Sequence, residues 1–227
     1  MVLLNNIGKV YGKNEYKQNV LQNISLHIKK GDMVSIMGPS GSGKSSLLNI
    51  MGLLDEKHTG EYYIDGISTS ELNEKERALV RNQKIGFVFQ SFHLLKELTA
   101  VENVQMGLVL ANVYKPAGKK IKKGEMKRRS EEILEQVGLK AHMHKKAFQL
   151  SGGQQQRVAI ARALINNPSV IFADEPTGAL DQKNGTEIMG LLKNLNEQGK
   201  TIVIVTHDQK VASYCGTKIN MLDGNIV

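Results

Sequence analysis

Apolar positions along this chain fall into two kinds of run. Met33–Met37, Val170–Ala173 and Thr201–Val205 are short and almost continuously apolar, the pattern of strands buried on both faces. Other apolar residues recur at helical spacing. Leu47, Leu48, Ile50, Met51 and Leu54 predict a helix over 46–54, and Val101, Val104 and Leu108 predict another after Thr99. Met126, Ile133, Leu134 and Val137 mark a helix from Glu125 to Val137 that Gly138 stops. Further helices are predicted at 74–82, 158–165 and 187–195. Thr99 and Glu102 stand at capping-box spacing. Val2–Lys30 reads as antiparallel β structure, with Leu26 and Ile28 alternating against polar neighbours. Gly60–Gly66 reads as a strand ending in an Asp-Gly turn, Ile85–Phe89 as a strand ending at Gln90, and Asp223-Gly224-Asn225 as the turn of a terminal hairpin.

Strands that alternate with helices imply a mostly parallel sheet, whose ligands sit at the carboxyl ends of the strands. The expected fold class is therefore α/β, with an antiparallel β part and a helical insert. Residues 1–97 and 158–227 form the α/β core, and residues 98–157 form the helical subdomain. All 227 residues belong to one domain.

Composition changes this picture little. Hydrophobic residues make up 41% and charged residues 23%, within the range of soluble domains. No apolar stretch approaches the roughly 20 residues needed to cross a bilayer, and Met1–Asn5 shows no basic leader region. The single cysteine, Cys215, precludes an internal disulfide and fits a reducing compartment. The net charge of +8 is nearly all in one segment, Lys115–Arg129, where eight basic residues stand against Glu125 alone. A local patch with 5% aromatic residues overall is not a strand-tracking, base-stacking surface, so no nucleic acid is expected. Contact of this segment with anionic lipid is the functional alternative to a solvated loop.

Candidate chemistry begins at Gly38-Pro39-Ser40-Gly41-Ser42-Gly43-Lys44-Ser45, between a predicted strand and a predicted helix. In that setting the glycines let successive N–H groups wrap a polyphosphate, and the helix start adds unsatisfied donors. Lys44 reaches the outer phosphates and the Ser45 hydroxyl ligates magnesium. Lys44, Gln90, Asp174, Glu175 and His207 all fall at or just after strand ends. Because neighbouring strand residues face opposite ways, the two acids should do different work. Asp174 is read as holding magnesium through water and Glu175 as polarising the attacking water. Leu150-Ser151-Gly152-Gly153-Gln154 opens another helix, with Ser151 as cap, and is read as a second anion site. By composition alone, Tyr11 is a strand or turn residue.

Taken in order, the phosphate loop, Gln90, Leu150–Gln154, Asp174-Glu175-Pro176, Ala179-Leu180-Asp181 and His207 resemble the ATP-binding subunit of an ABC transporter. The resemblance spans nearly the whole chain. It implies a P-loop NTPase core, a helical subdomain bearing the signature Ser151–Gln154, and ATP hydrolysis with Mg2+. It gives Gly38, Ser40, Gly41, Gly43, Lys44, Ser45 and Ser46 to the nucleotide phosphates, and Tyr11 to adenine. Ser151, Gly152, Gly153 and Gln154 are expected to meet nucleotide across a head-to-tail homodimer, and Asp181 is also given to nucleotide binding. Ser45, Gln90 and Asp174 form the magnesium set, while Glu175, His207 and Gln90 form the catalytic set. Within the family the motifs are similar to macrolide exporters, lipoprotein-release transporters, the cell-division ATPase and bacitracin-type peptide detoxification systems. The implied role is to drive a separate membrane permease from the cytoplasmic face of the membrane, exporting an antimicrobial peptide or other amphiphile. The alternatives are an ATP-driven mechanical or signalling module, and a soluble ABC protein of translation or DNA repair.

Overall fold

Strand β3 (Met33–Met37) is buried at every position, and so is β8 (Thr201–Val205). They lie side by side in a six-stranded sheet of order β10-β9-β3-β8-β7-β6. Its other members are β6 (Ile85–Val88), β7 (Val170–Asp174), β9 (Thr217–Leu222) and β10 (Asn225–Ile226). All pairings are parallel except β9 with β10. The computed structural model describes residues 1–12, 17–113 and 115–227.

The two-residue period of these strands divides the core. Val34, Ile36, Val170, Phe172, Val203 and Val205 face one cluster, which is closed by α1 (Lys44–Met51) and a second sheet. That sheet has order β2-β1-β4-β5 and is antiparallel throughout: β1 (Val2–Tyr11), β2 (Gln18–Ile28), β4 (Thr59–Ile64) and β5 (Ile67–Ser68). Part of the expected Val2–Lys30 β segment, residues 13–16, lies outside the described residues. Ile171, Ala173, Ile202 and Ile204 face the other cluster, with Val104, Leu134, Val158 and Leu192 from the helices. Each such aliphatic side chain contributes about 1.5–3 kcal/mol on burial, so both faces must be covered for the sheet to persist.

The helices covering that second face are α3 (Ala100–Val113), α4 (Lys123–Gln136), α5 (Gly152–Leu164) and α6 (Gln182–Glu197). Two shorter ones are α2 (Glu74–Lys84) and α7 (Gln209–Ala212). Thr99 and Glu102 make the reciprocal capping bonds their spacing predicts. Tyr114, inside the expected helical subdomain, lies outside the described residues. Helix α5 runs unbroken across residue 157, so its first turn stands in the helical insert and its last turns pack on the sheet.

Several elements differ in extent from the sequence reading, and one was not expected. Helix α1 ends at Met51 rather than Leu54, whose side chain is exposed. Helix α6 starts five residues before the predicted Glu187, because Asp181 caps it through the Asn184 N–H at 2.9 Å and its first turn is polar. Helix α7, capped by Asp208, has no apolar period long enough to announce it. Just beyond it Cys215 is buried, and burial pushes its thiol up to about 11.

Candidate active site

The loop between β3 and α1 is shaped by where β2 passes. Gly43 takes φ 96°, and a Cβ there would sit 2.7 Å from the Val20 carbonyl oxygen. No larger residue fits, so the helix opens on a cap residue with no side chain. Its first turn contains no acid. The N–H groups that open α1 are therefore left without a side-chain acceptor, at the positive end of the dipole. Lys44 folds back over the loop, donating to the carbonyl oxygens of Gly38 and Pro39, each at 2.7 Å.

This loop forms one wall of a cleft of about 500 Å³. Ser40, Gly41, Gly43, Lys44, Ser45 and Ser46 line that wall, while Gln90, Asp174, Glu175 and His207 come from the strand ends and Tyr11 stands at the rim. Five loops and strand ends thus meet where the sequence reading put them. Asp174 ends β7, half-buried; burial first, then the neighbouring Glu175 carboxylate, push its pKa up against the pull of Lys44.

Glu175 departs from the expected strand alternation. It lies past the end of β7 with φ 44°, a left-handed conformation that costs a non-glycine residue about 1–3 kcal/mol. Its N–H donates to Val205 at 2.9 Å. The side chain is held at both oxygens. Thr206 Oγ1 donates to Oε2 at 3.0 Å, the His207 N–H donates to Oε1 at 3.0 Å, and His207 Nδ1 stands 2.6 Å from the same Oε1. The separation of the two acids thus comes from this turn and not from the pleat. The His207 side chain is 77% exposed, and among the described residues Glu175 is the partner that holds it.

Tyr11 carries a support that sequence spacing did not reveal. Its hydroxyl donates to Asp55 Oδ2 at 3.0 Å, and Lys9 Nζ lies 4.7 Å from its ring centroid. Lys9 is only 4% exposed and donates to Asp55 Oδ1 and the Lys57 carbonyl, both at 2.6 Å. Burial pushes the Asp55 carboxyl up, but the contacts from Lys9, Lys57 and Tyr11 outweigh it and hold it below the usual range. Lys9 and Asp55 are 46 positions apart, and no local pattern pairs them.

Ser151, Gly152, Gly153, Gln154 and Asp181 do not line the cleft. Ser151 Oγ accepts from the Gln154 N–H at 3.4 Å and the Ser151 N–H donates to Gln154 Oε1 at 3.0 Å, a complete capping box on α5. Asp181 spends its carboxylate on capping α6, and the Asn184 N–H is the largest cause holding its pKa below the usual range. Beside Gln90, on the outer surface, runs a groove of about 470 Å³ that includes Phe87, Phe89, Arg81, Leu54 and Leu110. Leu54 and Leu110 are each about half exposed there. The sequence reading missed this groove; the apolar Leu54, taken as helical core, was its signal.

The residues fit a magnesium nucleotide on their own chemistry. Ser45, Gln90 and Asp174 offer only oxygen donors that suit a hard cation, and the uncapped start of α1 offers N–H groups to phosphate.

Residues 21–178 match the ABC transporter family. An uncharacterized ABC transporter ATP-binding protein of Methanocaldococcus jannaschii is 51% identical over 227 residues, covering all of this chain and 98% of that protein. The macrolide export ATP-binding/permease protein MacB of Escherichia coli is 44% identical over 227 residues, all of this chain but 34% of that protein. Among solved structures, the dimeric bacterial ABC transporter cassette MJ0796 superposes with a TM-score of 0.88 at 50% identity, covering 100% of this chain and 96% of that one. The same cassette as a dimer in a post-hydrolysis state bound to ADP and Pi gives the same TM-score.

Proposed function

This chain belongs to the ABC transporter family as an ATPase domain, and from that premise we propose that two copies pair head to tail around two magnesium ATP to drive a membrane permease. The observation that carries this reading is the division of the site. One cleft holds the phosphate loop, Gln90, the two acids and His207, while Ser151–Gln154 and Asp181 lie away from it. A signature that does not line its own cleft has use for a cleft on a second copy. The dimeric cassette MJ0796, half identical in sequence, supports the pairing.

In this reading Gly38, Ser40, Gly41, Gly43, Lys44, Ser45 and Ser46 bind the phosphates, and the Tyr11 ring, backed by Lys9, receives adenine. Ser45, Gln90 and Asp174 would hold magnesium, which would supply positive charge to offset the negative charge of the phosphates. Glu175 orients the attacking water. Its two oxygens are already fixed by Thr206 and His207, so no reorganisation is needed at the moment of reaction. His207 is then held beside the outer phosphate by its contact with Glu175.

Among the described residues no helix is long and apolar enough to cross a membrane, so the permease lies outside this cassette. The groove beside Gln90 supports its docking, since half-exposed Leu54 and Leu110 flank the segment that bears that glutamine. Likeness to the macrolide exporter MacB favours export; the cargo in this reading is an antimicrobial peptide or another amphiphile, driven from the cytoplasmic face of the membrane. In the basic segment, Lys127, Arg128 and Arg129 pair with acids on α4. Among the described residues Lys119, Lys120, Lys122 and Lys123 make no ion pair, and Asn112 of α3 holds the backbone of Ile121, which lies between them, by two bonds of 2.9 Å. That surface suits anionic lipid beside the permease.

The test is Glu175→Gln. The parent should hydrolyse ATP in magnesium, and the variant should bind ATP, lose hydrolysis by about a hundredfold or more, and elute as a dimer only with ATP. Equal turnover by parent and variant would remove Glu175 from the chemistry; a variant that stays monomeric with ATP would remove the dimer.

A further inference from the structure

Helix α5 carries the signature at its start, yet two side chains further along it grip the segments that carry the cleft's catalytic groups. Gln156 is fully buried. Its amide nitrogen donates to the Pro176 carbonyl at 2.6 Å and to the Phe89 carbonyl at 3.4 Å. Pro176 directly follows Glu175, and Phe89 directly precedes Gln90. Because both neighbours are carbonyl oxygens, only the nitrogen can face them, and the orientation of the amide is forced. Its oxygen Oε1 is left buried without a donor, which costs about 1–3 kcal/mol. One turn and a half later, Arg162 donates to the carbonyl oxygens of Phe92 at 2.8 Å and His93 at 2.5 Å, two residues held at φ 57° and 48°. The Gln90 segment is thus tethered to α5 on both sides of its bend.

The two bonds of Gln156 are unequal. The one to the Glu175 turn is short and the one to the Gln90 segment is long, so the clasp is firm on the acid and loose on the glutamine. Phe89 also lines the outer groove and stacks on Phe87 with ring centroids 5.2 Å apart. On the inner side, the Gln90 side chain rests against Gly178, where an added Cβ would come within 2.7 Å of Nε2.

We propose that Gln156 is a positioning residue for hydrolysis, setting the turn that bears Glu175 and the segment that bears Gln90 relative to each other. It touches neither nucleotide nor magnesium. Its role rests on the ATPase reading above and adds to it a mechanical tie. A displacement of Phe89 at the groove is carried through one buried amide to the backbone next to the catalytic acid.

The experiment is steady-state ATP hydrolysis by the full chain, with kcat and KM measured separately and well below the melting temperature of each variant. Gln156→Met keeps the length and removes the donor. It should lower kcat about tenfold or more, since small misplacements of catalytic groups are that costly, while KM for ATP stays within about twofold. Gln156→His, which can return a ring N–H near the lost position, should recover most of the rate, and Gln156→Asn, one methylene short, should not. If Gln156→Met fails to fold, the comparison of the His and Asn variants carries the test. Parent-like kcat in Gln156→Met, or in both the His and Asn variants, overturns the proposal, as does a lower melting temperature with kcat unchanged. A parent that does not hydrolyse ATP would instead sink the ATPase reading, so the two failures are told apart.

Discussion

Helices α1 and α5 both open at glycine-rich turns, and they spend their first N–H groups in opposite ways. At α1 the cap is Gly43, with no side chain, no acid in the first turn, and a cleft in front of it. At α5 the cap is Ser151, and it and Gln154 satisfy each other's backbone N–H groups. A sequence reader sees two anion sites. The structure distinguishes a start left open for a ligand from one that is closed by its own side chains and stands without one. An oxygen ligand arriving at α5 must exchange with the Gln154 carboxamide and Ser151 hydroxyl or rely on the remaining N–H groups. That suits a contact made only when a second copy arrives.

The largest expected effect is at the open start. Lys44→Ala removes the ammonium proposed to meet the outer phosphates, and phosphate release should fall to background, about a hundredfold or more. Turnover within a few fold of the parent would mean that α1 does not host the chemistry. Next comes the closed start. Ser151→Arg, made in the Glu175→Gln chain, should abolish the ATP-dependent dimer on size exclusion while leaving ATP affinity of the monomer within about twofold. If monomer affinity falls with it, both helix starts serve one cleft and the contrast collapses. Stability offers a finer measure. Gly43→Ala forces a Cβ to 2.7 Å from the Val20 oxygen at φ 96°, whereas Gly152→Ala meets Leu180 at 3.3 Å and Phe92 at 3.8 Å, both side chains, with no positive φ. Thermal melts should show Gly43→Ala losing about 2 kcal/mol or more and Gly152→Ala about 1 kcal/mol or less; equal losses would say the two turns are equally tight. The smallest effect is Gln154→Ala, which takes one arm from the capping box. Urea unfolding should register about 0.5–1 kcal/mol, and nucleotide binding by the monomer should not change.

Much of this was legible in the chain itself. Strands β3, β7 and β8 announced themselves because an unbroken apolar run has only one comfortable place, and their carboxyl ends correctly gathered Lys44, Asp174 and His207 into one cleft. What escaped had no local signal. The start of α6 is set by a cap, Asp181, whose following turn is polar, so an apolar period begins too late. Leu54 fits the helical stripe of α1 but lies beyond its end, where it becomes surface for the groove. The Lys9–Asp55 pair under Tyr11 joins β1 to the segment that follows α1 and exists only in three dimensions. The left-handed backbone of Glu175 is invisible to a reading that assumes the pleat continues. Gln156 has no local signal either, since the carbonyl oxygens it meets lie 67 and 20 positions away.

Cys215 has one further consequence. It is the chain's only thiol, it is buried beside the β3–β9 pair, and its thiolate is disfavoured at neutral pH. Alkylating reagents act on the thiolate and need access, so an intact molecule should be almost inert to them. Any labelling then counts the moments when this edge of the sheet comes apart. With no added tag, the rate of labelling in magnesium ATP against magnesium alone becomes a stopwatch for how firmly nucleotide holds the far side of the fold shut.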